Sequence, residues 1–277
     1  MKTINCKGTL IDLSSPKVMG IINVTPDSFY DGGKTVSSSE ILFQAETMLN
    51  EGATFLDVGG YSSRPGAKDV SEHEELKRLT TAIEVILQRF PEALISVDTF
   101  RSNVAKKCIE MGAAIINDIS GGTLDLDMMP IAAQLQVPYI MMHMRGTPQT
   151  MAGLTQYDNL SKEVLFYFSE KNAHARSLGI NDIIADPGFG FSKTRAQNFE
   201  LLNKLELFDS LSVPLLVGLS RKSTVYKTLK ISPQEALNGT TVLHTIAVLK
   251  GASILRVHDV KEAMECIQLI QNLDGKV

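Results

Sequence analysis

Eight polar or charged residues follow short apolar runs along the chain, at or just past the point where each run ends. They are Asn23, Asp57, Asp98, Asn117, Asp186, Lys222, Arg256 and His258. One such residue means little, because a polar side chain after a strand often caps the next helix. Helix capping is enough to explain Asp57 or Asp118, but it does not explain why Lys, Arg and His join the set. The group indicates a binding or catalytic site built from strand ends.

The stretch IIADPGFGF at residues 183–191 displays this pattern most clearly. Its apolar run ends in Asp186, and Pro187 must end the strand because proline cannot donate a hydrogen bond to a sheet. The glycines that follow allow a tight turn or a close approach to a ligand. Asp186 is therefore predicted at the carboxyl end of a buried strand, facing an open loop.

The types of side chain indicate two kinds of chemistry. Four of them offer the donors and acceptors that suit a flat polar heterocycle: Asp98, Asn117, Asp186 and Lys222. Three offer anion recognition, since Arg can grip phosphate with two N–H groups: Arg64, Arg256 and His258. Asn23 supplies a neutral oxygen. Such an oxygen is a hard ligand that suits a Mg²⁺ ion already bound by phosphate oxygens. Taken alone, Arg64 would be read as a solvated loop residue and His143 as a structural one.

The elements that must position these residues alternate between strand and helix. Buried strands are predicted at 18–23, 55–58, 94–98, 114–117, 139–142, 183–186, 215–218 and 254–257, after a small hairpin at 4–12. Helices are predicted at about 38–51, 71–90, 160–178, 199–208 and 235–250, with another from Thr99 and a last one to about Asn272.

Eight strands alternating with helices in a chain of this length predict a closed (β/α)₈ TIM barrel with a short N-terminal β-hairpin. An open doubly wound sheet fits less well, because it usually has fewer strands, and no Gly-x-Gly-x-x-Gly stretch follows the first strand here. No linker or charge run divides the chain, so residues 1–277 are expected to form one domain.

Composition excludes several classes of protein. The formal net charge of −4 gives no general affinity for nucleic acid or an anionic membrane. No apolar run approaches the roughly 18 residues of a membrane span, and residues 1–10 lack the apolar core of a signal peptide. The three cysteines, Cys6, Cys108 and Cys266, have no metal-ligand spacing, and they favour reduced thiols in the cytoplasm.

Seven motifs, in chain order, resemble those of the dihydropteroate synthases, the pterin-binding enzymes of folate biosynthesis. They are INVTPDSF at 22–29 with DGG at 31–33, GG at 59–60 with SSRPG at 62–66, VDT at 97–99, IND at 116–118, DPGFGF at 186–191, GLSRKS at 218–223 and RVHDV at 256–260. One departure is visible: Ser63 stands where the family pattern leads us to expect Thr. The hydroxyl is kept and a methyl group is lost, which leaves the packing of that loop in doubt.

The resemblance implies a barrel that joins 6-hydroxymethyl-7,8-dihydropterin diphosphate to p-aminobenzoate, with 7,8-dihydropteroate and diphosphate as products. It also implies Mg²⁺ at Asn23, a homodimer and susceptibility to sulfonamides. The pterin would be bound by Asp98, Asn117, Ile119, Met142, Asp186, Phe191, Gly218 and Lys222. The diphosphate would be bound by Asn23, Ser63, Arg64, Arg256 and His258, and the aminobenzoate by Phe29, Ser63, Pro65 and Ser220. Catalysis would rest on Asp98, Lys222, Arg256 and His258.

Two other functions remain open at this point. A pterin-binding methyltransferase barrel would share Asp98, Asn117 and Asp186 but needs no diphosphate clamp, so the set of Arg64, Arg256 and His258 weighs against it. The intact first and second loops weigh against a non-catalytic pterin-binding relative. The departure at Ser63 from the expected Thr leaves this alternative open.

Overall fold

The structure, a computed structural model, describes residues 2–25, 37–62 and 69–273. Its strands are β1 (Thr3–Cys6), β2 (Thr9–Asp12), β3 (Lys17–Asn23), β4 (Phe55–Gly59), β5 (Ile95–Asp98), β6 (Ile115–Asp118), β7 (Tyr139–Met142), β8 (Ile183–Asp186), β9 (Leu216–Val217) and β10 (Ile254–Val257). The last eight are parallel and pair in the order β8, β7, β6, β5, β4, β3, β10, β9. A parallel bridge between Ala185 and Leu215 joins the two ends, which confirms the predicted barrel.

Each barrel strand is followed by at least one helix. The helices are α1 (Ser38–Asn50), α2 (Glu72–Arg89), α3 (Ser102–Glu110), α4 (Met128–Leu135), α5 (Leu160–Ser177), α6 (Arg195–Asn203), α7 (Ser223–Leu229), α8 (Leu237–Leu249) and α9 (Val260–Leu273). Short 3₁₀ helices cover Met151–Gly153 and Leu205–Leu211. Within the described ranges, no helix is long and apolar enough to cross a membrane.

The sequence prediction missed two helices and misplaced a third. Helix α4 is apolar nearly all round, and α7 has only seven residues, so neither shows helical periodicity. Helix α6 begins earlier than predicted because Thr194 and Gln197 form a capping box at its start. The stretch after it continues as 3₁₀ rather than α-helix.

The amino ends of the strands enclose a small apolar core. The predicted hairpin is present: β1 and β2 pair antiparallel, and Lys7 and Gly8 have φ of +54° and +85°, the positive values that a tight hairpin turn requires. Residues in or next to the hairpin and residues near the start of the barrel strands share one buried cluster: Ile4, Cys6, Leu13, Met19, Phe55, Ala114, Ile115, Ile140, Ile184, Leu216 and Ile254. The hairpin thus packs on the amino end of the barrel.

The carboxyl ends of the strands carry the polar residues. Strand register aligns Asn23 with Gly59, Gly59 with Asp98, and Asp98 with Asn117 across four neighbouring strands. On the far side, Met142 aligns with Asp186. These predicted site residues therefore lie at the carboxyl end of the barrel.

Candidate active site at the carboxyl ends of the strands

Arg256 of β10 connects three other strands. Its Nε donates to Asp57 Oδ2 on β4 at 2.6 Å, and its Nη2 donates to Asp98 Oδ2 on β5 at 2.7 Å. Asn117 Nδ2 on β6 lies 3.2 Å from both carboxylate oxygens of Asp57. One guanidinium thus lies between two carboxylates, and one of these orients an amide. We call Asp57, Asp98, Asn117 and Arg256 the arginine cluster.

Asp57 does not cap a helix, so that interpretation of the sequence is wrong for this residue. It lies in the middle of β4, is fully buried, and accepts hydrogen bonds from Arg256 and Asn117. Because Asn117 directs its NH₂ group at Asp57, its carbonyl oxygen is the group left for a ligand. Among the described residues, none donates to that oxygen.

The balance of burial and neighbouring charges in the arginine cluster favours the charge on Arg256 but not the charge on Asp98. Burial raises the pKa of Asp98 to about 7; Arg256 opposes the rise and Asp57 adds to it. Burial also disfavours the charge on Arg256, but Asp57 and Asp98 outweigh it and raise the pKa of the guanidinium above its ordinary value. Arg256 is therefore always charged, whereas burial opposes the negative charge on Asp98.

A second group lies at the ends of β8 and β9, formed by Asp186 and Lys222. Asp186 Oδ1 accepts a hydrogen bond from Gly188 N at 2.8 Å, and the Lys222 Nζ donates to Phe189 O at 2.5 Å. The Nζ also lies 4.9 Å from the centre of the Phe191 ring. Burial lowers the pKa of Lys222 to about 8, with Asp186 opposing the change. Burial likewise raises the pKa of Asp186, and Lys222 opposes that.

Gly218 lies between the two groups. A Cβ atom at Gly218 would be 3.6 Å from Lys222 Nζ and 4.0 Å from Arg256 Cβ. The absence of a side chain therefore leaves open the space beside the Lys222 ammonium and the start of the Arg256 side chain. One edge of this end is apolar, since Ile119, Met142, Met144 and Met151 form a buried cluster with Phe191 packed against it.

Ser220, His258 and Asn23 complete the part of the predicted site that the structure describes. Ser220 Oγ accepts a hydrogen bond from His258 N at 3.2 Å and lies 3.0 Å from His258 Nδ1. A Cβ on Gly59 would be 3.5 Å from Asp98 Cβ and 3.7 Å from Asn23 Oδ1, so the Asn23 oxygen and Asp98 flank this glycine.

Four predicted site residues, Phe29, Ser63, Arg64 and Pro65, lie outside the described residues. In the described part of the chain, no group of three or more His, Cys, Asp or Glu side chains is placed to hold a metal ion.

Lys193 is a buried residue near the site that the sequence analysis did not single out. Its Nζ lies 3.0 Å from His143 Nδ1, 3.0 Å from Phe191 O and 3.1 Å from Gly188 O. Burial, with help from Lys193, lowers the pKa of His143 to about 2, so the imidazole is neutral. The only hint in the sequence is that Lys193 lies two residues after the glycine-bearing motif at 186–191, where a lysine is normally solvated.

This arrangement suits a planar, polar ring joined to an anionic group. Asn117 Oδ1, Asp186 and Lys222 present acceptors and a donor beside an apolar wall, while Arg256 offers a permanent charge next to His258. Buried charges of both signs at a barrel's carboxyl end are also what catalysis of a charge-separating reaction requires.

Comparison with known proteins gives a consistent result. The chain matches the pterin binding enzyme family over residues 19–258. It is 45% identical over 267 residues to the dihydropteroate synthase of Escherichia coli (strain K12), covering 96% of this chain and 94% of the relative. It is 46% identical over 250 residues to that of Synechocystis sp., covering 89% and 86%.

Solved structures match over nearly the whole chain. The Yersinia pestis dihydropteroate synthase in complex with a sulfonamide drug has a TM-score of 0.93 at 40% identity, covering 99% of both chains. The Xanthomonas albilineans enzyme in complex with 7,8-dihydropteroate has a TM-score of 0.88 at 34% identity, again covering 99% of both chains.

Proposed function

The chain belongs to the dihydropteroate synthases of the pterin-binding enzyme family, and we propose that the site at the carboxyl end of its barrel carries out their reaction. It is a transferase of folate biosynthesis that condenses 6-hydroxymethyl-7,8-dihydropterin diphosphate with p-aminobenzoate. The observation that best supports the proposed site is the position of Gly218, whose missing side chain leaves space beside both Lys222 Nζ and the Cβ of Arg256. A substrate with a polar ring and an anionic tail needs both groups within one open space.

We assign recognition of the pterin to the side of Asp186 and Lys222. Asp186 and the carbonyl oxygen of Asn117 would accept hydrogen bonds from the N–H groups of the ring, and Lys222 would donate to its oxygen or nitrogen. Ile119, Met142 and Phe191 support this assignment, because they form one apolar cluster against which a flat ring can pack. Gly218 provides room beside Lys222.

We assign the diphosphate to Arg256 and His258, with Asn23, Ser63 and Arg64. Negative charge grows on the leaving diphosphate as the C–O bond breaks, and a preorganised cation stabilises it. Two nitrogens of Arg256 already contact carboxylates, and Nη1 donates to none of the described residues. Asp57 on β4 and Asp98 on β5 fix the position of the guanidinium. Arg256 can therefore stabilise the charge on the diphosphate without first changing its conformation.

Asp98 has a different role in this proposal. The methylene carbon left by diphosphate departure carries positive charge shared with the pterin ring, and an ionised Asp98 beside it stabilises that charge. p-Aminobenzoate then attacks with a neutral aniline nitrogen, which needs positioning more than activation. Ser220, fixed by His258, would border the aminobenzoate together with Phe29, Ser63 and Pro65.

We propose Mg²⁺ as the metal, with Asn23 as its protein ligand. Asn23 presents one neutral oxygen beside Asp98, and Mg²⁺ readily keeps phosphate and water as its other ligands. The residues therefore suit a Mg²⁺ ion that enters the site bound to the diphosphate. When bound, the ion would neutralise part of the diphosphate charge. Asn23 would then orient the diphosphate relative to Arg256.

We also propose a cytoplasmic homodimer that binds sulfonamides. Free, buried cysteines are typical of a reducing compartment. Helices α8 and α9 share a groove that is bordered by Thr241, Thr245 and the exposed residues Leu269 and Leu273, which a second copy could cover. The Yersinia pestis neighbour was solved with a sulfonamide drug, which supports the same ligand here. Light scattering coupled to size exclusion would test the dimer.

The reaction itself is tested by a steady-state assay of diphosphate release from the pterin substrate. We expect release to depend on p-aminobenzoate, with 7,8-dihydropteroate formed in equal amount. A methyltransferase-type barrel would release no diphosphate, and a non-catalytic relative would bind the pterin without turnover. Either result would overturn the proposal.

A further inference from the structure

Lys193 lies between β8 and α6 and is 7% exposed. An ammonium group has three N–H donors. Here they face His143 Nδ1, Gly188 O and Phe191 O, all within 3.1 Å of Nζ, with His143 O at 3.5 Å. The acceptors belong to two stretches of chain, the end of β7 and the segment after β8. A single buried cation therefore connects the two.

A second connection joins the same two stretches. Ser192 Oγ accepts a hydrogen bond from Arg145 N at 2.9 Å and donates one to Arg145 O at 3.0 Å. Gly188 approaches His143 so closely that a Cβ would lie 2.1 Å from His143 O. Residues 188–192, which we call the β8 segment, are thus attached at both ends to residues 143–145.

The β8 segment carries contacts of the proposed pterin pocket. Gly188 N donates to Asp186, Phe189 O accepts from Lys222 Nζ, and the Phe191 ring lies beside Lys222 and the apolar wall. A shift of this segment would move the carboxylate, the ammonium and the ring together. The attachments at Lys193 and Ser192 therefore help to fix the positions of the carboxylate, the ammonium group and the ring.

We propose that Lys193 is a positioning residue for pterin recognition, which fixes the β8 segment against the end of β7 without touching the substrate. The inference rests on the proposed function, because it takes the ligand of Asp186 and Lys222 to be a pterin. It predicts that loss of Lys193 weakens pterin binding selectively and leaves anion binding at Arg256 in place.

Asp186 favours a charge on the buried Lys193. Burial lowers the pKa of Lys193 to about 7; Asp186 opposes the change, and Lys222 and Arg145 add to it. His143, which lies 3.0 Å from the Lys193 Nζ, is neutral. Asp186 thus stabilises the charge on Lys193, and it is also a residue that the attachment would position.

The test is Lys193→Met, which keeps the length of the side chain and removes all three donors. We expect the Kd for 6-hydroxymethylpterin, measured by calorimetry, to rise at least tenfold, which is about 1.4 kcal/mol. The Kd for inorganic diphosphate should change less than about twofold, which is about 0.4 kcal/mol. Amide hydrogen exchange should accelerate in residues 188–192. The matched control is Lys171→Met, a partly buried lysine on α5 that packs on Tyr167, and it should alter neither Kd.

Ser192→Ala keeps the test sharp if Lys193→Met folds poorly, because it removes only the second attachment. It should raise the pterin Kd by a factor of about two to five, which is about 0.4 to 1 kcal/mol, again without an effect on diphosphate. Wild-type affinity for the pterin in both variants would overturn the inference, and so would an equal loss of affinity for both ligands. If the wild-type protein itself failed to bind the pterin, the proposed function and the ligand assumed here would both be wrong.

Discussion

The two ends of the barrel differ in the kind of side chain that they bury: apolar at the amino end and charged at the carboxyl end. At the amino end, the hairpin and the first residues of the strands form an apolar cluster that includes Ile4, Cys6 and Phe55, all at most 1% exposed. At the carboxyl end, Asp57, Asp98 and Arg256 are largely buried charges. Burying an apolar side chain stabilises a fold by about 1.5–3 kcal/mol, whereas burying a charge costs several kcal/mol before its partners compensate.

This difference implies a division of labour within one fold. The described site residues lie at the carboxyl end, which keeps buried charges at a cost in stability. The amino end carries none of them and is packed with apolar side chains. A carboxylate such as Asp98, with a pKa raised to about 7, destabilises the folded chain at neutral pH. We therefore expect substitutions at the two ends to separate activity from stability.

The largest effect is expected from Arg256→Met. Removing one partner of a buried ion pair costs about 3–5 kcal/mol, because the remaining carboxylates lose their counter-charge. The variant should therefore be less stable than wild type. The cation that stabilises the leaving diphosphate is also lost, so kcat/KM should fall by a factor of about 10²–10³. Calorimetry should show weakened binding of inorganic diphosphate while a pterin still binds. The control is Arg195→Met, at an exposed position in the first turn of α6. Unchanged diphosphate affinity in Arg256→Met would remove Arg256 from the anion site.

At the amino end, Ile4→Ala should cost stability and leave kcat unchanged. Truncation of a fully buried Ile typically costs about 2–5 kcal/mol, because a cavity remains. The urea midpoint should fall without a change in the m-value. Leu10→Ala on the same hairpin is the matched control, since Leu10 is 70% exposed and its loss should cost less than about 0.5 kcal/mol. A parallel loss of kcat in Ile4→Ala would show that the two ends are coupled.

The free energy of unfolding should also depend on pH in a way that isolates Asp98. Its ordinary pKa is 3.8 and its folded value is about 7, so the folded chain binds more protons between these limits. The contribution of protonated Asp98 is complete below the lower value and is lost as the pH rises through the upper one. Asp98→Asn should therefore gain stability relative to wild type between about pH 4 and 7. Chemical denaturation of both proteins across this range gives the comparison, and a constant difference would contradict it.

A smaller effect is expected where the hairpin meets the barrel through a polar contact. Asp182 Oδ2 accepts a hydrogen bond from Asn5 N at 2.9 Å. Asp182→Ala should lower the free energy of unfolding by about 0.5–1.5 kcal/mol, the usual net value of one hydrogen bond. It should leave kcat unchanged. Loss of activity without loss of stability in Asp182→Ala would contradict the claim that substitutions at the amino end affect stability and not catalysis.

The sequence predicted the barrel and most of the carboxyl-end residues for a physical reason. A buried parallel strand appears as a continuous apolar run, and the polar residue that ends it must lie at the rim, so these runs predict Asp98, Asn117, Asp186 and Arg256 at one end of the barrel. Helix α7 escaped because seven residues give too few turns for periodicity to appear.

Partners across the barrel could not be predicted in the same way. Asp57 and Arg256 are 199 residues apart, and their 2.6 Å contact depends on strand closure rather than on local pattern. Nothing in the sequence indicates a role for Lys193, because only the folded chain brings His143 Nδ1 and Phe191 O to it. The roles of Phe29, Ser63, Arg64 and Pro65 stay predictions, since these residues lie outside the described ranges.

The most direct test measures two quantities on the same two variants, Ile4→Ala and Asp98→Asn. These quantities are the free energy of unfolding and the rate of p-aminobenzoate-dependent diphosphate release at pH 8. We expect Ile4→Ala to be less stable with an unchanged kcat, and Asp98→Asn to be at least as stable as wild type with a strongly reduced kcat. Wild-type turnover in Asp98→Asn would contradict the role given to the carboxyl-end charges.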